Sequence, residues 1–213
     1  MKFDCSTIVF DLDGTISDPS LGITNCFNHA LESHGFPLVP ANVVAREIGP
    51  PLDETFLKLA SSIVPSDVER LIATYRERYA ETGFSENTMY PGIPSTLAHL
   101  RDAGINLGVC TSKRRDFAEK ILTLFGLDGY FSFVSGGDVG ITKGFQLAQL
   151  VDSQTIDDRA VMVGDRAVDI KAAQENGLHS VGVLWGFGDY AELSAASPTC
   201  VLKNVSELAA IVI

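Results

Sequence analysis

The 213-residue sequence has few of the residues that mark several classes of protein. Its four cysteines include no Cys-x-x-Cys pair, so they indicate neither a zinc site nor a disulfide framework. No apolar run approaches the roughly 20 residues that a membrane-spanning helix requires. Charge also interrupts the stretch MKFDCSTIVFDLD too early for a signal peptide. These absences predict a cytoplasmic protein with reduced thiols and no membrane partner.

Basic residues are also scarce, since 16 Lys and Arg stand against 27 Asp and Glu, a formal net charge of −11. Nucleic-acid binding draws on patches of surplus Lys and Arg, so we expect no nucleic-acid partner. With 46% hydrophobic and 20% charged residues, the composition is that of a compact globular protein. The length suits one core with a modest inserted or appended unit.

Short apolar runs predict the strands of the core. They lie at residues 6–11, 105–112, 131–137, 160–165 and 179–186. Helical patterns at 115–126 and 167–177 alternate with the later strands. This alternation predicts the α/β fold class, with a Rossmann-like parallel sheet as the core.

The interval of about 90 residues between the first two strands is far longer than one crossover helix needs. It has helical patterns at 20–34, 41–48, 53–62 and 65–82, and a further helix at 94–103 leads into the second strand. In the fourth pattern, apolar residues recur at helical spacing: Val68, Leu71, Ile72, Tyr75 and Tyr79. We therefore expect a small helical cap domain at 16–89, inserted between core segments 1–15 and 90–213.

Polar residues follow the predicted strands. Asp11-Leu12-Asp13-Gly14-Thr15 follows the first, Thr111-Ser112 the second and Gly164-Asp165 the fourth, while Lys143 is expected in the loop after the third. Ligands of such sheets bind beyond the carboxyl ends of the strands, so these segments are expected to share one rim.

The rim chemistry follows from the carboxylates. Asp11 and Asp13 are two apart, so one suits a nucleophile or metal ligand and the other an acid and base. Asp165 and Asp169 share a helix face and offer oxygen ligands for a hard cation, of which Mg²⁺ is the natural choice. A dication, a lysine, a hydroxyl and helix N-terminal amides together suit a phosphoryl group. Each residue alone also has a plain structural reading, as a strand end, a helix cap or a surface lysine.

Four elements in this order resemble the haloacid dehalogenase superfamily of phosphohydrolases. They are DLDGT after an apolar strand, Thr111, Lys143 and GDRAVD. The insertion directly after DLDGT resembles the cap of the subgroup that includes phosphoglycolate phosphatases and β-phosphoglucomutases. The stretches IGPPLDETF, CTSK and GVLWGFGDYAEL look most like the phosphoglycolate phosphatase or predicted 5′-nucleotidase branch.

The resemblance implies a role for each residue. Asp11 would attack phosphorus, and Asp13 would protonate the leaving alkoxide and then activate water. Thr111 would bind a phosphoryl oxygen and Lys143 would neutralise charge. Mg²⁺ would be held by Asp11, the Asp13 carbonyl and Asp165, with Asp169 in support. One departure is the compact GGDVGITKGFQ around Lys143, where relatives usually have a longer segment and often Lys-Pro.

The substrate-binding candidates are less uniform in kind. The predicted set is Gly14, Thr15, Ser112 and Arg46. Arg46 and the adjacent Gly49-Pro50-Pro51 turn either face the substrate or simply end a helix. Trp185-Gly186-Phe187-Gly188 either shapes the rim or packs beneath it.

The leading hypothesis is a Mg²⁺-dependent phosphatase acting on a small phosphorylated metabolite. Phosphoglycolate, a nucleoside monophosphate and a sugar phosphate all stay open as substrates, and so do a monomer and a homodimer. A phosphosugar mutase would use the same aspartate pair and cap. A module that only carries phosphate on an aspartate is disfavoured, because receiver domains have that residue on a middle strand and have no cap.

Overall fold

The structure is a computed structural model that describes residues 2–48, 52–59, 63–137 and 140–212. The chain divides into two compact units. The core unit comprises Met1–Asp18 and Met89–Ile213, and the helical unit comprises Pro19–Thr88. The chain passes from the core unit to the helical unit after Asp18, whereas the predicted boundary lies between residues 15 and 16. Residues 16–18 belong to the core unit because their backbone is hydrogen-bonded to the loop after β1. Ile16 N and Ser17 N both donate to Leu12 O, at 2.9 and 3.0 Å.

The elements follow in chain order. The strands are β1 (Thr7–Phe10), β2 (Ser17–Asp18), β3 (Thr88–Met89), β4 (Asn106–Thr111), β5 (Phe133–Gly136), β6 (Val161–Gly164), β7 (His179–Val183) and β8 (Cys200–Leu202). The helices are α1 (Ser20–Ser33), α2 (Ala41–Val44), α3 (Leu52–Leu59), α4 (Pro65–Glu81), α5 (Ile93–Asp102), α6 (Arg115–Leu124), α7 (Lys143–Asp152), α8 (Ala167–Glu175) and α9 (Tyr190–Ala196).

The core unit is built on a six-stranded parallel sheet with the order β5-β4-β1-β6-β7-β8. Its central strand β1 is an unbroken apolar run in which Ile8, Val9 and Phe10 have no exposed surface. Such a run is typical of a strand covered on both faces. Helices α5, α6, α7 and α8 pack against the strands. The predicted α/β class with a Rossmann-like sheet and a helical insertion is confirmed, and β8 is a strand that the prediction lacked.

The helical unit has its own aromatic core. The Phe27 ring centroid lies 4.6 Å from that of Phe56 and 4.9 Å from that of Tyr75, and Tyr75 stacks on Tyr79. In the predicted apolar stripe of α4, Ile72 alone is only partly buried. The predicted helix at 41–48 is shorter in the structure, since α2 ends at Val44 and a 3₁₀ turn follows over Ala45–Glu47.

The structure also bears on two expectations from the composition, the state of the cysteines and the lack of a membrane-spanning helix. All four cysteines are free thiols, and three of them are buried. Among the described residues, no helix combines the length and apolar character needed to cross a bilayer.

Candidate active site

The polar residues gather where three neighbouring strands end. Asp11 follows β1, Thr111 is the last residue of β4 and Asp165 follows β6, and β4, β1 and β6 are adjacent in the sheet. Lys143 was predicted in a loop, but it is the first residue of α7. The helix begins there because the Thr142 hydroxyl caps it, accepting a hydrogen bond from Phe145 N at 3.2 Å.

Three buried carboxylates form the centre of the site. Asp11 is 7% exposed, and Asp165 and Asp169 have no exposed surface. One carboxylate oxygen of each lies within 4.8 Å of the others. Burial, together with the charges of Asp11 and Asp169, raises the pKa of Asp165 to about 8. Three carboxylates this close and this deeply buried require a compensating positive charge.

Lys143 supplies part of that charge. Its side chain is 2% exposed, and its ammonium lies 3.0 Å from Asp11 Oδ1 and also pairs with Asp169. Burial by itself would lower the pKa of Lys143, but the Asp11 and Asp169 carboxylates outweigh it and hold that pKa above its usual value. Lys143 is therefore a permanent cation that fixes the Asp11 carboxylate from one side.

The loop after β1 is fitted closely around Asp165. Gly14 has φ of +86°, and a Cβ at this position would overlap the Asp165 carboxylate. The turn therefore requires glycine for both its conformation and its contact. Thr15 is fully buried, with its hydroxyl 3.5 Å from Asp165 Oδ1. Thr15, predicted to bind substrate, is thus placed beside a carboxylate of the cluster.

Asp13 lies outside the three-carboxylate cluster and has its own partner. Its Oδ2 is 2.8 Å from Lys113 Nζ, while its Oδ1 is buried and accepts no hydrogen bond from the described residues. Burial raises the pKa of Asp13, and the Lys113 ammonium opposes that shift. Lys113 was not among the predicted site residues, although its position two residues after Thr111 in CTSK was a signal that could have identified it.

Thr111 is 1% exposed and is held at both its backbone and its hydroxyl. The hydroxyl accepts from Lys113 N at 3.2 Å, and the Gln146 side chain donates to the Thr111 carbonyl at 3.2 Å. Because the hydroxyl oxygen is already an acceptor, its own proton is available for donation to a ligand.

The cluster fits a divalent cation. When all three carboxylates are ionised, they exceed the single Lys143 ammonium by two negative charges, which a divalent cation would balance. Asp11 Oδ1, although 3.0 Å from Lys143 Nζ, accepts no hydrogen bond of good geometry from the described residues. Oxygen donors with unsatisfied charge are the ligands that Mg²⁺ prefers. Asp11, Asp165 and Asp169 would hold the ion, and the Asp13 carbonyl stays a predicted ligand.

The other residues predicted to bind substrate are not part of the carboxylate cluster. Ser112 is exposed at the end of β4. Arg46 is exposed in the 3₁₀ turn of the helical unit. The Gly49-Pro50-Pro51 turn lies outside the described residues. The substrate-binding roles of Ser112 and Arg46 stay predictions.

A comparison with protein families identifies the chain. The profile of the haloacid dehalogenase-like hydrolases matches residues 8–183, which include every strand-end residue of the site. The chain belongs to this family. Membership confirms the resemblance inferred from the motifs, and together with relatives described as phosphatases it confirms that this haloacid dehalogenase-like hydrolase is an enzyme of the phosphatase class.

Individual relatives agree with the family assignment. A 5′-nucleotidase of Pseudomonas aeruginosa is 34% identical, over 94% of this chain and 92% of its own length. The tyrosine-protein kinase PtkA of Mycobacterium tuberculosis is also 34% identical, over 94% of this chain and 70% of its own length. The crystal structure of a predicted phosphoglycolate phosphatase from Haemophilus somnus has a TM-score of 0.88 and 25% identity, covering 97% of each chain.

Proposed function

We propose that this haloacid dehalogenase-like hydrolase is a Mg²⁺-dependent phosphatase that cleaves a small phosphomonoester through an aspartyl phosphate on Asp11. The observation that carries the proposal is the Asp11 carboxylate itself. It is buried, pairs with the Lys143 ammonium and lies within 4.8 Å of the carboxylates of Asp165 and Asp169, at the carboxyl end of the central strand. A carboxylate so placed is fixed and only partly satisfied, which suits a nucleophile.

Lys143 orients and activates the nucleophile. Its ammonium lies 3.0 Å from Asp11 Oδ1 and holds that oxygen in a fixed direction. When phosphorus is attacked, negative charge builds on the phosphoryl oxygens, and a buried cation beside them stabilises that charge strongly. Mg²⁺, held by Asp11, Asp165 and Asp169, would supply further positive charge to the same oxygens.

Thr111 and Asp13 complete the phosphoryl site. The Thr111 hydroxyl has a proton to donate to a phosphoryl oxygen. Asp13, two residues beyond Asp11, gives its proton to the leaving alkoxide and then takes a proton from the water that attacks the aspartyl phosphate. The pKa of Asp13 is raised by burial, so the carboxyl can hold the proton required for the first step. Lys113 keeps the side chain in place between steps.

The substrate class follows from the relatives rather than from the geometry. The 5′-nucleotidase and phosphoglycolate phosphatase relatives support a phosphorylated metabolite as the substrate. The helical unit is the proposed cap that selects it. Cytoplasmic location and the absence of a nucleic-acid partner are part of the proposal, supported by the free cysteines and the charge of −11. Monomer and homodimer remain equal predictions.

The experiment is phosphate release from phosphoglycolate, nucleoside monophosphates, hexose phosphates and an aryl phosphate, each with Mg²⁺ and with EDTA. Release that requires Mg²⁺ and is absent from Asp11→Asn supports the proposal. Conversion of a hexose 1-phosphate to the 6-phosphate without release would favour the mutase instead. A folded wild-type protein that releases no phosphate from any member overturns the proposal. Because one relative is a tyrosine-protein kinase, transfer of phosphate from ATP to a tyrosine peptide is also measured.

A further inference from the structure

The segment of residues 185–192, between β7 and the first turn of α9, is tied to the loops that carry the site. The Trp185 indole donates from Nε1 to the Thr15 carbonyl at 3.0 Å. Phe187 N donates to Asp165 Oδ2 at 2.7 Å. Two neighbouring groups of one segment thus hold both the turn after β1 and the carboxylate after β6.

The glycines of this segment allow its close approach. A Cβ on Gly186 would overlap both the Gly14 carbonyl and Asp165, and a Cβ on Gly188 would overlap the Asp165 carbonyl. Space rather than backbone conformation requires glycine at both positions, since neither has a positive φ. The segment therefore lies directly against Asp165.

The same segment also holds the start of α8. Glu192 Oε1 accepts from Ala167 N at 2.8 Å and from Arg166 Nε at 2.9 Å. Arg166 N in turn donates to Asp169 Oδ2 at 3.0 Å. Glu192 is itself positioned by Asp189, whose carboxylate accepts from Glu192 N at 2.8 Å at the start of α9. The chain of contacts runs from α9 to the Asp169 carboxylate.

We infer that the 185–192 segment is a positioning clamp that fixes Asp165 and Asp169 and so sets the affinity of the site for its cation. The inference deepens the proposed function and rests on it. Phe187 N donates to Asp165 Oδ2 at 2.7 Å and the Thr15 hydroxyl lies 3.5 Å from Oδ1, so the Asp165 carboxylate is held at both oxygens. Trp185 and Glu192 are positioning residues, because they act through Thr15 and through Arg166 and Ala167.

The test compares variants that cut single contacts of the clamp. Trp185→Phe removes the indole donor and keeps an aromatic ring. Glu192→Ala removes both contacts to the start of α8, whereas Glu192→Gln keeps an oxygen that can accept from Ala167 N. Tyr190→Phe is the matched control, since Tyr190 lies in the same segment and is 63% exposed.

Two measurements are made on each protein. Hydrogen–deuterium exchange without metal reports the order of residues 11–16 and 164–169, and titration calorimetry reports the Mg²⁺ dissociation constant. We expect faster exchange in both segments for Trp185→Phe and Glu192→Ala. We expect roughly 10-fold weaker Mg²⁺ binding, the lower end of the loss that follows removal of direct partners of metal ligands, because both side chains act on the ligands through other residues. Glu192→Gln should recover part of the affinity that Glu192→Ala loses.

The outcomes separate the two ideas. Exchange and Mg²⁺ affinity equal to those of Tyr190→Phe would overturn the clamp, and so would faster exchange with unchanged affinity. A wild-type protein that binds no Mg²⁺ would overturn the proposed function and the cation-positioning role together. A wild-type protein that binds Mg²⁺ but releases no phosphate would overturn the function alone, and the variants would still decide the clamp.

Discussion

The Lys113 ammonium lies 2.8 Å from Asp13 Oδ2, and the two side chains are only 9% and 19% exposed. Removing one partner of a buried ion pair leaves an uncompensated charge. We expect Lys113→Met to lower the free energy of unfolding by about 1–3 kcal/mol, less than for a fully buried pair. Urea unfolding without metal measures this change. Adding Asp13→Asn should recover about half of the loss, and a double variant no more stable than Lys113→Met would contradict the pairing.

Asp11→Asn should abolish turnover and preserve the fold. An amide cannot attack phosphorus, so kcat should fall by roughly 10⁴-fold or more. The neutral amide gives up the ion pair with Lys143 but relieves repulsion with Asp165 and Asp169, and Lys143 keeps Asp169 as a partner, so the Tm of the metal-free variant should stay close to that of the wild type. Steady-state kinetics and thermal unfolding check the two parts. Substantial residual activity in a highly purified variant would remove Asp11 from the nucleophile role.

Asp13→Asn should separate the two chemical steps. An aryl phosphate has a leaving group that needs no protonation, so Asp11 can still be phosphorylated, while hydrolysis of the aspartyl phosphate lacks its base. Stopped-flow absorbance should show a burst of aryl alcohol that approaches one equivalent and then a slow steady state. Hydroxylamine attacks the acyl carbon of an acyl phosphate, so it should release the trapped phosphate, leave Asp11 as a hydroxamate and end the slow phase. The wild type serves as the control. If Asp13→Asn shows the kcat of the wild type and no burst, Asp13 is not the acid and base.

Mg²⁺ should stabilise the wild type against unfolding but leave Asp165→Asn unaffected. A ligand at a hundredfold excess over its dissociation constant adds about 2.7 kcal/mol. The variant keeps an oxygen for the hydrogen bond from Phe187 N, and its neutral amide resembles the carboxyl whose pKa burial raises to about 8, so its metal-free Tm should not fall. Thermal unfolding with EDTA and with Mg²⁺ gives both values. An equal rise in Tm for the two proteins would mean that Asp165 does not hold the ion.

A separate pH dependence is expected in the helical unit. Glu86 accepts from Arg78 Nη1 and Nη2 at 2.9 and 3.0 Å, and this hydrogen bonding lowers the pKa of Glu86 below its ordinary 4.5. Because the pKa of Glu86 is lower in the folded protein than in the unfolded one, its ionisation stabilises the fold at pH values above the unfolded-state pKa. This contribution is lost as the pH falls through the folded-state pKa. The free energy of unfolding, measured with urea, should be about 1–2 kcal/mol larger for the wild type than for Glu86→Gln at pH 7. That difference should shrink below pH 4.5; a constant difference would contradict the ion pair.

Strand ends were predictable from the sequence because their signal is local. An apolar run followed by Asp11 or Asp165 identifies both a buried strand and the polar residue beyond it. Lys143 was misplaced because its position depends on the cap at Thr142, which starts α7 directly at the lysine. The strand β8 was missed since three residues, Cys200–Leu202, are too few for a period to be read.

Contacts between distant segments carried no such local signal. The indole of Trp185 reaches Thr15 across 170 positions of sequence. The ion pair between Lys113 and Asp13 likewise depends on β1 and β4 being neighbours in the sheet. The residue types at these positions were visible, but their partners follow only from strand order and register.

The order of the strands in the sheet also affects how the protein can fold during translation. The central strand β1 precedes both of its neighbours in the chain, since Ile8 pairs with Leu107 and Val161, which are synthesised about 100 and 150 residues later. At the usual speeds of translation, the second partner emerges roughly 8–30 s after the first strand. Residues 19–88, which form a compact unit, are all synthesised within that delay. Strand β1 therefore stays without its second neighbour in the sheet until about 150 further residues have been translated.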